Sequence, residues 1–217
     1  MREQFQKELD GVSTTLVQMA GLVRVAMDNA TTALLTADLT LAEKVIADDT
    51  IIDEIQHELD ARTINLIARQ SPVASDLRTL ITSLRMSADL ERMGDLAHHI
   101  AKSARMRYPA TAVPPELSLT IEEMGRVCSK IIEKVSTVLE KRDADRALEV
   151  EKDDDQIDGL HRKIIQTLLD PNWKHGVETA IDMTLLGRYY ERCADHAVSI
   201  ARRVYFLVTG TYASDKA

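Results

Sequence analysis

Residues 90–101 read LERMGDLAHHIA and residues 190–201 read YERCADHAVSIA, so Glu-Arg-x-x-Asp is written twice at an offset of 100 positions. A second echo stands upstream of each copy. ADLTLAEKVIADDTIID (37–53) aligns residue for residue with RDADRALEVEKDDDQID (142–158), setting Asp38 against Asp143 and Asp53 against Asp158. Internal duplication on this scale decides the architecture before any single motif does.

Outward from these echoes, nearly everything carries helical periodicity. Leu16, Met19, Val23, Met27, Ala30 and Leu34 recur at three- and four-residue steps and predict a helix over about 16–35. After a break at Thr36-Ala37-Asp38, with Asp38 a plausible N-cap, a second helix is predicted over about 39–69. Pro72 stops it, Ser75 or Asp76 is expected to cap the next, and a third runs over about 77–107. YPATAVPPE is the clearest linker. Beyond it the plan repeats, with helices over about 117–141, 144–169 and 177–209. The expected fold is all-α: two tandem antiparallel three-helix bundles, residues 1–108 and 117–217, joined by a linker at 109–116.

Composition agrees. The 217 residues are 45% apolar but only 4% aromatic, with 8 Gly and 5 Pro, a balance that suits helices rather than strands and turns. The net charge of −8 argues against nucleic acid as the main partner. Cys128 and Cys193 lie on helical patterns without a C-x-x-C pair and are expected to be buried, reduced thiols. MREQFQKELDG lacks the apolar core of a signal peptide, and no run approaches the ~18 apolar residues of a membrane span. A cytoplasmic protein is expected, one that could still associate with a membrane through a partner.

The acidic pairs carry the chemistry. Glu91 and Asp95 are four residues apart, hence only ~40° apart around a helix, and Asp49 and Asp53 share that spacing on the preceding helix. With the hairpin turn centred near residue 73, residue 53 falls level with about 93 and residue 49 with about 97. Four carboxylates then meet. Asp154, Asp158, Glu191 and Asp195 form the second quartet, with a looser fit because Asp158 lies nearer its turn; Asp153 or Asp155 could stand in for Asp154. Like charges this close raise one another's pKa unless a cation compensates. Carboxylate oxygens suit magnesium, calcium, manganese or iron, and zinc is also compatible. His57 and His99 each follow a quartet aspartate by four residues and could add ligands, though neither recurs in the second copy. Arg92 and Arg192 project ~100° from the preceding glutamate and are expected to face solvent or a partner.

The segments SPVASDLR, DLERMGDLAHHIAKSA and YYERCADHAVSIARRV, within the duplicated layout, resemble the PhoU family of phosphate-uptake regulators over about the whole chain. The resemblance implies metal ions, often in multinuclear clusters, on Asp49, Asp53, Glu91, Asp95, Asp154, Asp158, Glu191 and Asp195. It also implies a non-enzymatic role: contact with a phosphate-specific ABC transporter and a sensor histidine kinase, holding the phosphate-starvation response off when phosphate is plentiful. A homodimer is compatible with it. Two other classes compete. A ferritin-like di-iron oxidase needs two E-x-x-H segments in one four-helix core. Here Glu54-Ile-Gln-His57 matches once and Asp158-Gly-Leu-His161 imperfectly, in different repeats. A metal-free helical adaptor is the third class. No P-loop, Gly-rich dinucleotide turn or nucleophile–base pair is present in the sequence.

Overall fold

The apolar stripe that begins at Leu16 extends upstream through Phe5, Leu9 and Val12, and all of these side chains are buried in a computed structural model that describes residues 2–211. The first helix is therefore longer than the periodic window suggested. The described residues form six helices in order: α1 (Arg2–Thr36), α2 (Leu39–Gln70), α3 (Ala74–Arg107), α4 (Pro115–Lys141), α5 (Ala144–Leu168) and α6 (Gly176–Thr209). Among the described residues there is no strand, and no helix is long and apolar enough to cross a membrane.

Local chemistry sets the ends. Asp38 and Asp143 occupy equivalent N-caps and accept from the backbone N–H of Leu41 (2.9 Å) and Arg146 (3.0 Å). Helix α2 ends on Ser71 in a left-handed conformation, immediately before Pro72. Neither Ser75 nor Asp76 caps α3. Its N-cap is Val73, without a side-chain bond, and Asp76 sits inside the first turn, where a carboxylate meets the positive end of the helix dipole. Helix α4 begins inside the expected linker because Pro115 suits the first helical turn, where no amide hydrogen is needed.

Helices α1, α2 and α3 pack on one another, as do α4, α5 and α6; α1 then packs on α4, and α3 on α6. One core runs through both triplets, with Met19, Val23, Met27, Ala30 and Leu34 fully buried on α1 and Ile121, Met124, Val127, Ile131 and Val135 on α4. Gly125 lets the two central helices close: a Cβ there would lie 2.5 Å from the Thr31 methyl carbon. Thr31 in turn shares a 2.8 Å hydrogen bond with the buried Tyr190 hydroxyl of α6. Cys128 and Cys193 are buried and free, as their positions on apolar faces required. The adjacent Cys193 thiol and complete burial push the Cys128 thiol up, which suits an inert core residue.

Candidate metal-binding acidic hairpins

The α2–α3 hairpin has the register expected for a turn near residue 73. Gly94 faces α2 so closely that a Cβ would come within 3.0 Å of Ile52 and 3.4 Å of the Asp49 carboxylate. That approach brings the first quartet together. Asp49 is buried and pairs with the Nδ1 of His98. Burial, then Asp49 and Asp95, push Asp53 above the usual carboxylate range, against the opposing pull of His57 and His98. Burial and Asp95 likewise raise Glu91, with Arg92 offsetting part and Asp53 and Asp49 adding to the rise. Mutual repulsion of this kind is what four converging carboxylates produce.

The second hairpin shows the same electrostatics more sharply. Asp154 is pushed up to about 6 by burial and by Asp158, Asp195, Asp155 and Glu191, in that order. Its Oδ1 is buried without a hydrogen-bond partner. Asp153 turns the other way, to α4, where Lys130 (2.9 Å) and Lys134 (2.7 Å) hold it. Burial alone would raise Asp153, but the two lysines outweigh it and keep the carboxyl low. Asp153 is thereby committed elsewhere, and Asp155 is exposed, which leaves Asp154 as the inward-facing member of the aspartate run. Asp158 and Asp195 are exposed, whereas every member of the first quartet is at least half-buried.

Two histidines that the sequence reading did not place here belong to these clusters. His98, rather than His99, reaches the first quartet; His99 stacks on Tyr189 of α6, with ring centroids 5.3 Å apart. His161 lies 3.4 Å from Glu191, in the space left by Gly187, where a Cβ would meet its ring at 2.9 Å. The Nε2 atoms of both His98 and His161 are buried without partners. A signal was available: each histidine follows a quartet aspartate by three residues, Asp95 and Asp158, as closely shared a helical face as four. Arg92 also departs from expectation. It folds back onto its own helix, 3.0 Å from Asp95 and 3.6 Å from Glu91, because three-residue spacing brings the long side chain over the carboxylates. In the second copy Arg188, not Arg192, pairs with Glu191.

Carboxylates with raised pKa values and unpartnered imidazole nitrogens form a donor set suited to hard or borderline cations. Among the described residues no three His, Cys, Asp or Glu side chains already stand in an arrangement that could close on one ion. Capture would require Arg92 and His98 to release their carboxylates and the side chains to adjust rotamers.

A duplicated six-helix protein with an acidic hairpin in each half is a narrow class. The PhoU domain model matches residues 16–104 and 121–204, covering both repeats, and the chain belongs to the PhoU family. It is 44% identical over 212 residues to the phosphate-specific transport system accessory protein PhoU homolog 2 of Mycobacterium tuberculosis, covering 98% of this chain and 100% of that one. Homolog 1 of Mycobacterium leprae is also 44% identical, covering 99% and 97%. The crystal structure of PhoU from Pseudomonas aeruginosa superposes with a TM-score of 0.86 at 30% identity, covering 95% of this chain and 100% of that one. The phosphate transport system regulatory protein PhoU of Streptococcus pneumoniae gives 0.84 at 25%, covering 96% and 98%.

Proposed function

We propose that this chain is a cytoplasmic, non-enzymatic accessory regulator of a phosphate-specific ABC transporter. In this reading it couples the transporter's state to a sensor histidine kinase and holds the phosphate-starvation response off in phosphate-rich conditions. The similarity to phosphate-transport accessory proteins over 98% of the chain carries the reading. The absence from the sequence of a P-loop, dinucleotide turn or nucleophile–base pair accords with it. Oxidase chemistry of the ferritin-like kind is disfavoured, since the two E-x-x-H-like segments lie on α2 and α5, in separate helix triplets, and His57 is exposed.

Metal binding belongs to the same proposal. Asp49, Asp53, Glu91 and Asp95, with His98, would hold a divalent or trivalent cation on the first hairpin. Asp154, Asp158, Glu191 and Asp195, with His161, would hold one on the second. A bound cation supplies positive charge that neutralises each cluster and fixes its two helices relative to each other. The protein's own part is to present those carboxylates on rigid helices and to keep Asp153 and Cys128 out of the way.

The test of the regulatory role is phosphate-starvation reporter output in phosphate-rich medium after deletion of the gene, in a strain without a second copy. Derepressed output, restored by the wild-type chain, is expected. Output that stays low overturns the repressor role.

A further inference from the structure

The duplication gives the molecule two equivalent crossings between α3 and α6, and the two carry opposite charge. At one crossing Arg107 of α3 meets Asp182 (2.6 Å) and Glu178 (2.5 Å) of α6. Shifting those positions by the 100-residue offset puts Thr82 where Asp182 stands, Arg78 where Glu178 stands and Arg85 where Leu185 stands. The opposite helix contributes Arg202 and Arg203 in place of Lys102 and Ser103. Duplication alone predicts like crossings. Here one is a closed ion-pair cluster and the other an open, basic cleft.

That cleft is a pocket of about 270 Å3 lined by Thr82, Arg85, Asp195, Ser199, Arg202, Arg203 and Phe206. It exceeds several times the ~30 Å3 that one water occupies in the liquid. Its cations differ in how far they are already committed. Arg203 and the Ser199 hydroxyl both donate to Asp89, at 3.2 and 3.1 Å, and His196 pairs with the other oxygen at 3.0 Å. Arg202 bonds to Glu151 at 2.5 Å. Arg78 lies over the Phe206 ring, 5.1 Å from its centroid, behind the pocket wall. Arg85 is exposed and makes no hydrogen bond or ion pair among the described residues. In a chain of net charge −8, an uncommitted guanidinium at the mouth of a cleft with two further arginines and a threonine hydroxyl is a local reversal of field.

We propose that this cleft binds a phosphate-class oxyanion. Arg85 is its principal ligand, through the planar fork that matches two oxygens of a tetrahedral anion. Thr82 and the outward N–H groups of Arg202 complete the contacts, and Asp89 holds Arg203 and Ser199 in place. Asp195 is the one carboxylate in the lining, and it also belongs to the second acidic quartet. It opposes an anion in the cleft, so neutralising it strengthens binding. The site stands on its own residues and does not depend on the regulatory reading: a regulator without it remains a regulator.

The test is calorimetric titration of the full-length chain with inorganic phosphate at fixed ionic strength, alongside D195N and R85Q. Saturable binding is expected, tightened about three- to tenfold in D195N and weakened at least about tenfold in R85Q, the cost of one charge-assisted bidentate contact. Arg85 is exposed and makes no hydrogen bond or ion pair among the described residues, so R85Q is expected to keep the wild-type melting curve. Equal phosphate affinity of R85Q and the wild type overturns the proposal, as does no saturation in both wild type and D195N when phosphatidic acid vesicles also go unbound. A second arm uses sedimentation with phosphatidic acid vesicles. Binding to vesicles that R85Q abolishes, without binding of free phosphate, assigns the phosphate group to a lipid headgroup. Vesicle binding indifferent to R85Q, with no response to free phosphate, overturns the site.

Discussion

Asp153 and Asp154 are neighbours on α5 with opposite electrostatic fates. Two lysines hold Asp153 low, while burial and four other carboxylates raise Asp154 to about 6. Their substitutions should therefore change stability in opposite directions. Asp154 is raised above its unfolded value of 3.8, so its protonation favours the folded state below about pH 4. That advantage disappears as the pH climbs through 6. In chelator at pH 7.5, Asp154→Asn should thus stabilise the protein by about 1–3 kcal/mol, with no gain at pH 3.5. Asp153 is depressed; its contribution is present above the unfolded value and lost as the pH falls. Asp153→Asn should cost about 1–3 kcal/mol at pH 7.5, because it leaves Lys134 half-buried beside a neutral amide. Urea unfolding of both variants across this pH range checks the pair. Equal signs at pH 7.5 would show that Asp154 is relieved by contacts other than those that set its environment here.

At the scale of helices, small residues decide how close the site elements come. Gly187 faces the His161 ring at a distance that no Cβ tolerates, whereas Gly21 on α1 has open space around it. Gly187→Ala should destabilise by about 1–3 kcal/mol and displace His161 from Glu191. Gly21→Ala should instead stabilise by about 0.5–1 kcal/mol through helix propensity. Thermal melts separate the two, and the NMR ring signals of His161 report the displacement. A neutral Gly187→Ala would mean that the ring simply rotates away. Helix existence and hairpin register were legible in the sequence because both rest on periodicity and turn chemistry, and Leu16 through Leu34 and Pro72 display them openly. Less legible were features that depend on neighbours. Phe5 and Leu9 lie too sparsely among charges to announce a helix, yet burial against the rest of the core fixes them. The choice of His98 over His99 depends on which face α6 covers, since His99 is the one that stacks on Tyr189. Spacing within α3 admits both histidines, at three and four residues from Asp95, and does not choose between them.

For the whole molecule, the contacts of α1 with α4 and of α3 with α6 give the two repeats one shared core and should make them unfold as one body. The central helices bury Met27, Ala30, Met124 and Val127 completely, and Tyr190 reaches across to Thr31. A triplet that unfolded alone would expose that shared core, at roughly 25 cal/mol per Å2 of apolar surface. Calorimetric unfolding should therefore show a single transition, in contrast to the two expected of repeats merely tethered by a linker. If cations occupy the hairpins as proposed, their binding stabilises the common folded state. The one transition should then move upward with metal concentration, by about 2.7 kcal/mol per hairpin at a free concentration 100 times the Kd. Asp53→Asn with Asp95→Asn should remove the first site's share of that shift and leave the second's. Because the body is cooperative, the loss should appear as a smaller displacement of the same transition rather than as a new early one. Two resolved transitions in the variant would show that the first hairpin can melt while the second holds. A shift equal to that of the wild type would place the cation elsewhere than on the first quartet.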